Sequence, residues 1–146
     1  MSGARVVAEA RRWIGTPYRH QASVPGVGAD CLGLVRGVWR VLLGTEPVAV
    51  PPYGPDWSEA AREETLWEAA RRHLVALPPG PPAPGDVLLF RLRAGGVAKH
   101  LGIVGEGAPC ASVIHAYSGH GVVESPLSHP WQRRIVARFR FPVGET

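Results

Sequence analysis

The 146 residues predict an α+β fold in which helices come first and antiparallel strands second. Three observations carry this. Apolar residues recur at three- and four-residue steps up to about residue 77, the period of a helix with one buried face. From residue 86 onward the apolar segments are short, rich in Val, Ile and aromatic residues, and separated by Gly or Pro turns. Between them lies "PPGPPAPG", residues 78–85, which can form neither a helix interior nor a central strand. The length suits one domain, 1–146, with a helical part over about 2–77 and a strand part over about 86–142.

The first helix is predicted over Ser2–Ile14, with Val6, Val7, Ala10 and Ile14 toward the core and Arg5, Glu9 and Arg12 toward solvent. "GTPYRHQASVPGVGA" then breaks into a loop. The second helix starts at Cys31 behind Asp30, a good N-cap residue. Leu34, Val35, Val38 and Leu42 form its apolar stripe, and Arg36 and Arg40 fall opposite. "TEPVAVPPYGPDW" is too proline-rich for regular structure. A third helix is expected from Asp56, its cap, with Glu59 at capping-box spacing, through to Leu77. The strands are "DVLLFRL", "HLGIV", "ASVIHAY", "GVVESPL" and "RIVARFRF"; in the last, Ile135, Ala137, Phe139 and Phe141 alternate with Val136, Arg138 and Arg140.

Composition narrows the function classes. Apolar residues at 45% and charged residues at 19% are globular values, and no apolar run reaches a transmembrane length, so no membrane insertion is expected. "MSGARVVAEARRWIG" lacks a signal-peptide core, which predicts synthesis in the cytoplasm without an export signal. The net charge of +4 comes from scattered arginines and a single lysine, Lys99. No zinc-finger, RNA-recognition or P-loop pattern accompanies them, so no specific nucleic acid partner is expected.

The chemistry centres on Cys31. A thiol in the first turn of a helix feels the positive end of the dipole, which favours the thiolate. Such a nucleophile needs a base, and the base needs an orienting partner. A hairpin centred between Gly107 and Ala108 places His100 opposite His115, with Cβ atoms ~4.5–5.5 Å apart. The same hairpin puts Cys110 near the turn, ~16 Å along the strand from His115. Cys31 therefore cannot both meet the histidines and approach Cys110 within the ~7 Å that a disulfide requires. Spacing alone leaves two other readings open: one cysteine and two histidines holding zinc, or a core cysteine with incidental histidines.

"GTPY", "DCLGLV", "PGDVLLF", "KHLGIV" and "VIHA", in this order, resemble the NlpC/p60-type cell-wall cysteine peptidases from about Trp13 to about Ser118. The resemblance implies a circularly permuted papain-like fold, a helical lobe packed on an antiparallel sheet. It implies Cys31 as nucleophile, His100 as general base and His115 as the residue orienting it. Tyr18 is implied to line the cleft and Asp30 to support the substrate end of the site. No metal or organic cofactor is implied. The substrate implied is the peptidoglycan stem peptide, cut between D-glutamate or its neighbour and a diamino acid. This sequence departs from the family at Leu32, which replaces a serine, and at "YRHQA", which replaces Tyr-x-x-Gly-Gly.

"DCLGLV" together with an insertion over about Glu46–Leu77 looks like the bacteriophage-tail and gene-transfer-agent branch. That branch implies tail or baseplate partners and delivery by a particle to the periplasm of a target cell. The insertion's Tyr53, Trp57, Leu66, Trp67 and Leu74 could dock a tail partner or simply pack on the domain. Two alternatives of other classes are a tail-tip adaptor with a vestigial site and an intracellular amidase or acyltransferase.

Overall fold

Helix α1, Ser2–Arg11, buries Val6, Val7 and Ala10 as its period predicts, but it ends three residues before Ile14. The computed structural model describes residues 2–47, 64–93 and 95–142. In the turn that follows α1, Trp13 takes the core position and Ile14 is left 45% exposed. Glu9, expected in solvent, is buried instead. Its carboxylate accepts the Trp13 indole N–H at 3.3 Å and pairs with Arg12 at 3.0 Å. A buried indole N–H needs such an acceptor, and this need outweighs the polar preference of the glutamate.

A short hairpin, β1 Ser23–Val24 and β2 Gly28–Ala29, occupies the loop before helix α2, Cys31–Leu43. Leu34, Val35 and Val38 are buried as the stripe requires. On the opposite side Arg36 and Arg40 share Glu46, at 2.7 and 3.0 Å. Gly37 faces Trp13 so closely that a Cβ there would lie 2.0 Å from the ring. Contact between α1 and α2 thus depends on one missing methyl group.

The third helix is shorter than its periodicity suggests. Asp56 and Glu59, as well as Tyr53 and Trp57, lie outside the described residues; the described helix α3 is Thr65–His73. Val75–Leu77, expected to be helical, forms strand β3 and pairs antiparallel with β8, Ile135–Arg140. An available sheet edge overrides a local helical pattern of three residues. Leu66 and Ala70 are buried, and Trp67 and Leu74 pack against the same cluster. Leu66, Trp67 and Leu74 therefore pack on the domain, while Val75 in β3 stays exposed.

The remaining strands are β4 Val87–Arg91, β5 Ala98–Val104, β6 Ser112–Tyr117 and β7 Gly121–Pro126; a one-turn helix, α4 His129–Gln132, precedes β8. They form a six-stranded sheet in the order β3-β8-β4-β5-β6-β7. Alternation along β4 sends Val87 and Leu89 to the helical side, into one cluster with Val6, Leu34, Val38 and Leu66. Leu88 and Phe90 go to the other face, with Val104, Val113, Leu127 and the partly buried Trp131. The α+β arrangement read from the sequence is the arrangement found.

Candidate active site

The β5–β6 register pairs Ile103 with Ile114 and Val104 with Val113, two residues away from the hairpin predicted above. A slip of two preserves the face on which each side chain lies. His115 consequently falls opposite Gly102 rather than His100, diagonal to its expected partner. A Cβ on Gly102 would come 3.4 Å from that of His115 and 2.5 Å from Val113 Cγ2, so the glycine opens the space into which His115 leans. His100 Nε2 and His115 Nδ1 meet at 2.8 Å. The pairing was right in partners and wrong in register.

β5 and β6 pair only over those two residue pairs, and toward Ala98 they separate. The N-terminus of α2 fits into this opening. The Cys31 thiol approaches the Lys99 carbonyl at 3.8 Å, and its sulfur accepts from the backbone N–H groups of Leu101, Leu32 and Cys31 itself. The nucleophile candidate is thus held by the residues on either side of His100. With His100 Nε2 taken by His115, Nδ1 is the ring nitrogen outside that pair. His115 passes the chain on, its Nε2 lying 3.0 Å from Ser125 Oγ on β7. Ser125 was not singled out from sequence, although a second hairpin centred on Gly119 would have placed it on the same face as His115.

Aromatic rings enclose the pair. Trp131 meets His100 at 5.5 Å and His115 at 5.1 Å between centroids, and Tyr117 stacks on His115 at 5.4 Å. His100 is 5% exposed and His115 1%. Burial pushes the His100 pKa down to about 3, helped by its neighbour His115. His115 falls to about 4 through burial and the charge of His120. Burial and the Asp30 carboxylate push the Cys31 thiol up to about 12, against the hydrogen bonds to its sulfur. Burial thus works against the helix-end argument for a thiolate: desolvation raises the thiol and lowers the imidazole, and both shifts favour the neutral forms.

Asp30 caps α2 as expected, with Oδ1 accepting from Gly33 N at 2.7 Å. Its Oδ2 accepts from Gln21 N, also at 2.7 Å, and lies 3.7 Å from His20 Nδ1. At 3% exposure this carboxylate shapes the loop beside the nucleophile. Tyr18 bridges to Ala29 and lies near enough for Cys31 and Asp30 to raise its pKa, after burial. Cys31, Tyr18 and Asp30 thus share one end of the site, and His100 and His115 the other. Cys31 and Cys110 are both free, Cys110 exposed in the β5–β6 loop. No group of three or more His, Cys, Asp or Glu among the described residues could hold a metal ion. The two imidazoles meet at hydrogen-bond distance, which leaves no room for a zinc ion between those nitrogens.

Solved structures share this architecture. A domain of the peptidoglycan hydrolase SagA, described as NlpC/p60, superposes with a TM-score of 0.63 at 23% identity, over 97% of this chain and 100% of that one. An NlpC/p60 family protein from Bacillus cereus gives 0.66 at 18% identity, over 97% of this chain and 40% of that one. This is the NlpC/p60 fold. No protein-family model matches the chain. One curated protein, a gamma-DL-glutamyl hydrolase from Bacillus subtilis, is 31% identical over 137 residues. The match covers 93% of this chain and spans 29% of the length of that relative. The papain-like, helix-on-sheet expectation agrees with the NlpC/p60 fold found here.

Two buried histidines whose pKa values are lowered make the domain sensitive to acid. The unfolded chain binds protons at an ordinary imidazole value of 6.5, while folded His100 resists until about 3. Stability is therefore complete above 6.5 and is lost as pH falls from there toward 3. At about pH 5, His100 alone is expected to cost about 2 kcal/mol. Urea unfolding at neutral and mildly acid pH should show this loss, and His100→Gln should remove its share. Equal midpoints for the wild type at both pH values would contradict it.

Proposed function

We propose that the chain is an NlpC/p60-type cysteine peptidase that hydrolyses γ-glutamyl amide bonds in peptidoglycan stem peptides. The observation that carries this reading is the placement of Cys31 against the strand bearing His100, itself bonded to His115. The SagA domain and the gamma-DL-glutamyl hydrolase support the substrate class. Fold alone would not, because one fold hosts many activities.

His100 Nδ1 takes the thiol proton as Sγ attacks the amide carbonyl carbon. Charge develops on the carbonyl oxygen near the N-terminus of α2, where backbone N–H groups stabilise it. The protonated His100 then gives its proton to the leaving nitrogen, the C–N bond breaks and a thioester remains. Water attacks the thioester, His100 takes the water's proton, and the returning sulfur regains it. Because burial favours the neutral forms of both groups, proton transfer to His100 accompanies the attack of the sulfur.

The test is release of soluble muropeptides from purified peptidoglycan, with mass analysis of the fragments. Cleavage between D-glutamate and the diamino acid is expected, and iodoacetamide should abolish it. Intact peptidoglycan after incubation with folded protein would refute the reading. The finer assignment we propose is a phage-tail or gene-transfer-agent component, made in the cytoplasm and carried by its particle to the target periplasm. It rests on "DCLGLV" with the insertion over about 46–77. Co-sedimentation with tail or baseplate proteins tests it, and a chain found only outside particles would overturn it.

A further inference from the structure

We infer that Ser125 is a positioning residue that sets the proton arrangement of the two histidines. The inference rests on the peptidase reading for its effect on rate, but its structural claim can be tested without turnover. The chain Cys31, His100, His115, Ser125 has one proton per link, and only one arrangement lets His100 work as a base. His100 Nδ1 must carry a lone pair to receive the thiol proton. Its hydrogen then sits on Nε2 and is donated to His115 Nδ1, 2.8 Å away. That nitrogen must also carry a lone pair, so the hydrogen of His115 sits on Nε2. Ser125 Oγ, 3.0 Å from Nε2, is the acceptor that this tautomer requires.

The opposite arrangement disables the site. If nothing accepts from His115 Nε2, a tautomer with hydrogen on Nδ1 becomes competitive. His115 then donates to His100 Nε2, and the hydrogen of His100 moves to Nδ1, where it faces the thiol. A base with its proton already in place cannot take another without becoming an unsupported buried cation.

Placement of Ser125 is well determined. Ser125 pairs with Val113 and Val123 with His115 across β6–β7, so Ser125 lies diagonal to His115 on the same face. Its neighbour Glu124 is held by two bonds from Arg11, each 2.9 Å, and by Ser112 Oγ at 2.6 Å. These contacts tie β7 to α1 and β6 at the residue beside the serine. Trp131 and Tyr117 pack on the ring of His115, which is 1% exposed, while Ser125 itself is half-buried.

The experiment compares the wild type, Ser125→Ala and Ser125→Thr by nitrogen-15 NMR of the imidazoles and by kinetics. In the wild type both histidines are expected as Nε2–H tautomers. Ser125→Ala should populate the Nδ1–H form of His115 and lower kcat about tenfold, the worth of one hydrogen bond, with KM nearly unchanged. Threonine keeps the hydroxyl and suits a strand, so Ser125→Thr should restore both readouts. An Nδ1–H form of His115 in the wild type would overturn the inference. So would a Ser125→Ala protein with unaltered tautomers. Failure of the wild type to cleave peptidoglycan, with the tautomers as expected, would count against the peptidase reading and leave the positioning role intact.

Discussion

The Cys31→Ala variant is expected to fold like the wild type and to release soluble muropeptides at least about ten-thousandfold more slowly. Two features of the site make the loss this large. His100 and His115 are bonded to each other and packed against Trp131, with Phe90 beside His100, which leaves little space for another nucleophile to replace the thiol. The sulfur also makes only weak hydrogen bonds, so its removal leaves β5 in place. A melting temperature within about 5 °C of the wild type would establish that the fold survives. Equal cleavage by the two proteins would remove Cys31 from the mechanism.

The largest structural effect is expected from Gly33→Ala, two residues along the same helix. A Cβ on Gly33 would lie 1.9 Å from the Ala22 carbonyl oxygen and 3.1 Å from Asp30 Oδ1. The first is a backbone atom, so no rotamer change relieves the contact. Gly33 N is also the donor to the Asp30 cap, and Gly33 O accepts from Ser23 Oγ at 2.6 Å. Moving the helix away breaks the cap and the tether together. A loss of about 3 kcal/mol or more is expected in urea unfolding, a large part of a typical domain's stability. Gly119→Ala offers a contrast: its φ is +85° but nothing lies within 4 Å of an added Cβ, so only local backbone strain is incurred. Similar losses for the two variants would show that the Gly33 contact relaxes easily.

Much of the site was legible because it depends on short-range rules. Asp30 before an apolar helical stripe marks a helix start, and the structure uses it in that way. The pairing of His100 with His115 survived a register error because a slip of two leaves strand faces unchanged. What the sequence could not give depends on long-range packing. The burial of Glu9 depends on an indole arriving from the next turn, and strand β3 depends on an open edge beside β8. The bias toward neutral forms depends on how much water the closed site excludes, which no local pattern records. Ser125 reaches His115 only through the pairing of a second hairpin, and a serine in a strand carries no local signal of that contact.

The grip of Asp30 on both Gln21 and Ala22 has a consequence for substrate choice under the proposed function. Residues 19–22 are fastened to the helix that carries the nucleophile, and Gln21 is held at a positive φ of 67°. Where the motif of the resemblance has paired glycines this chain carries Gln21 and Ala22, preceded by Arg19 and His20, on a backbone set during folding. On the peptidase reading proposed above, substrate selection there would work as a rigid template, its ordering entropy already spent before any ligand arrives. Selectivity in this chain can thus diversify by exchanging side chains on that template while the catalytic geometry stays fixed.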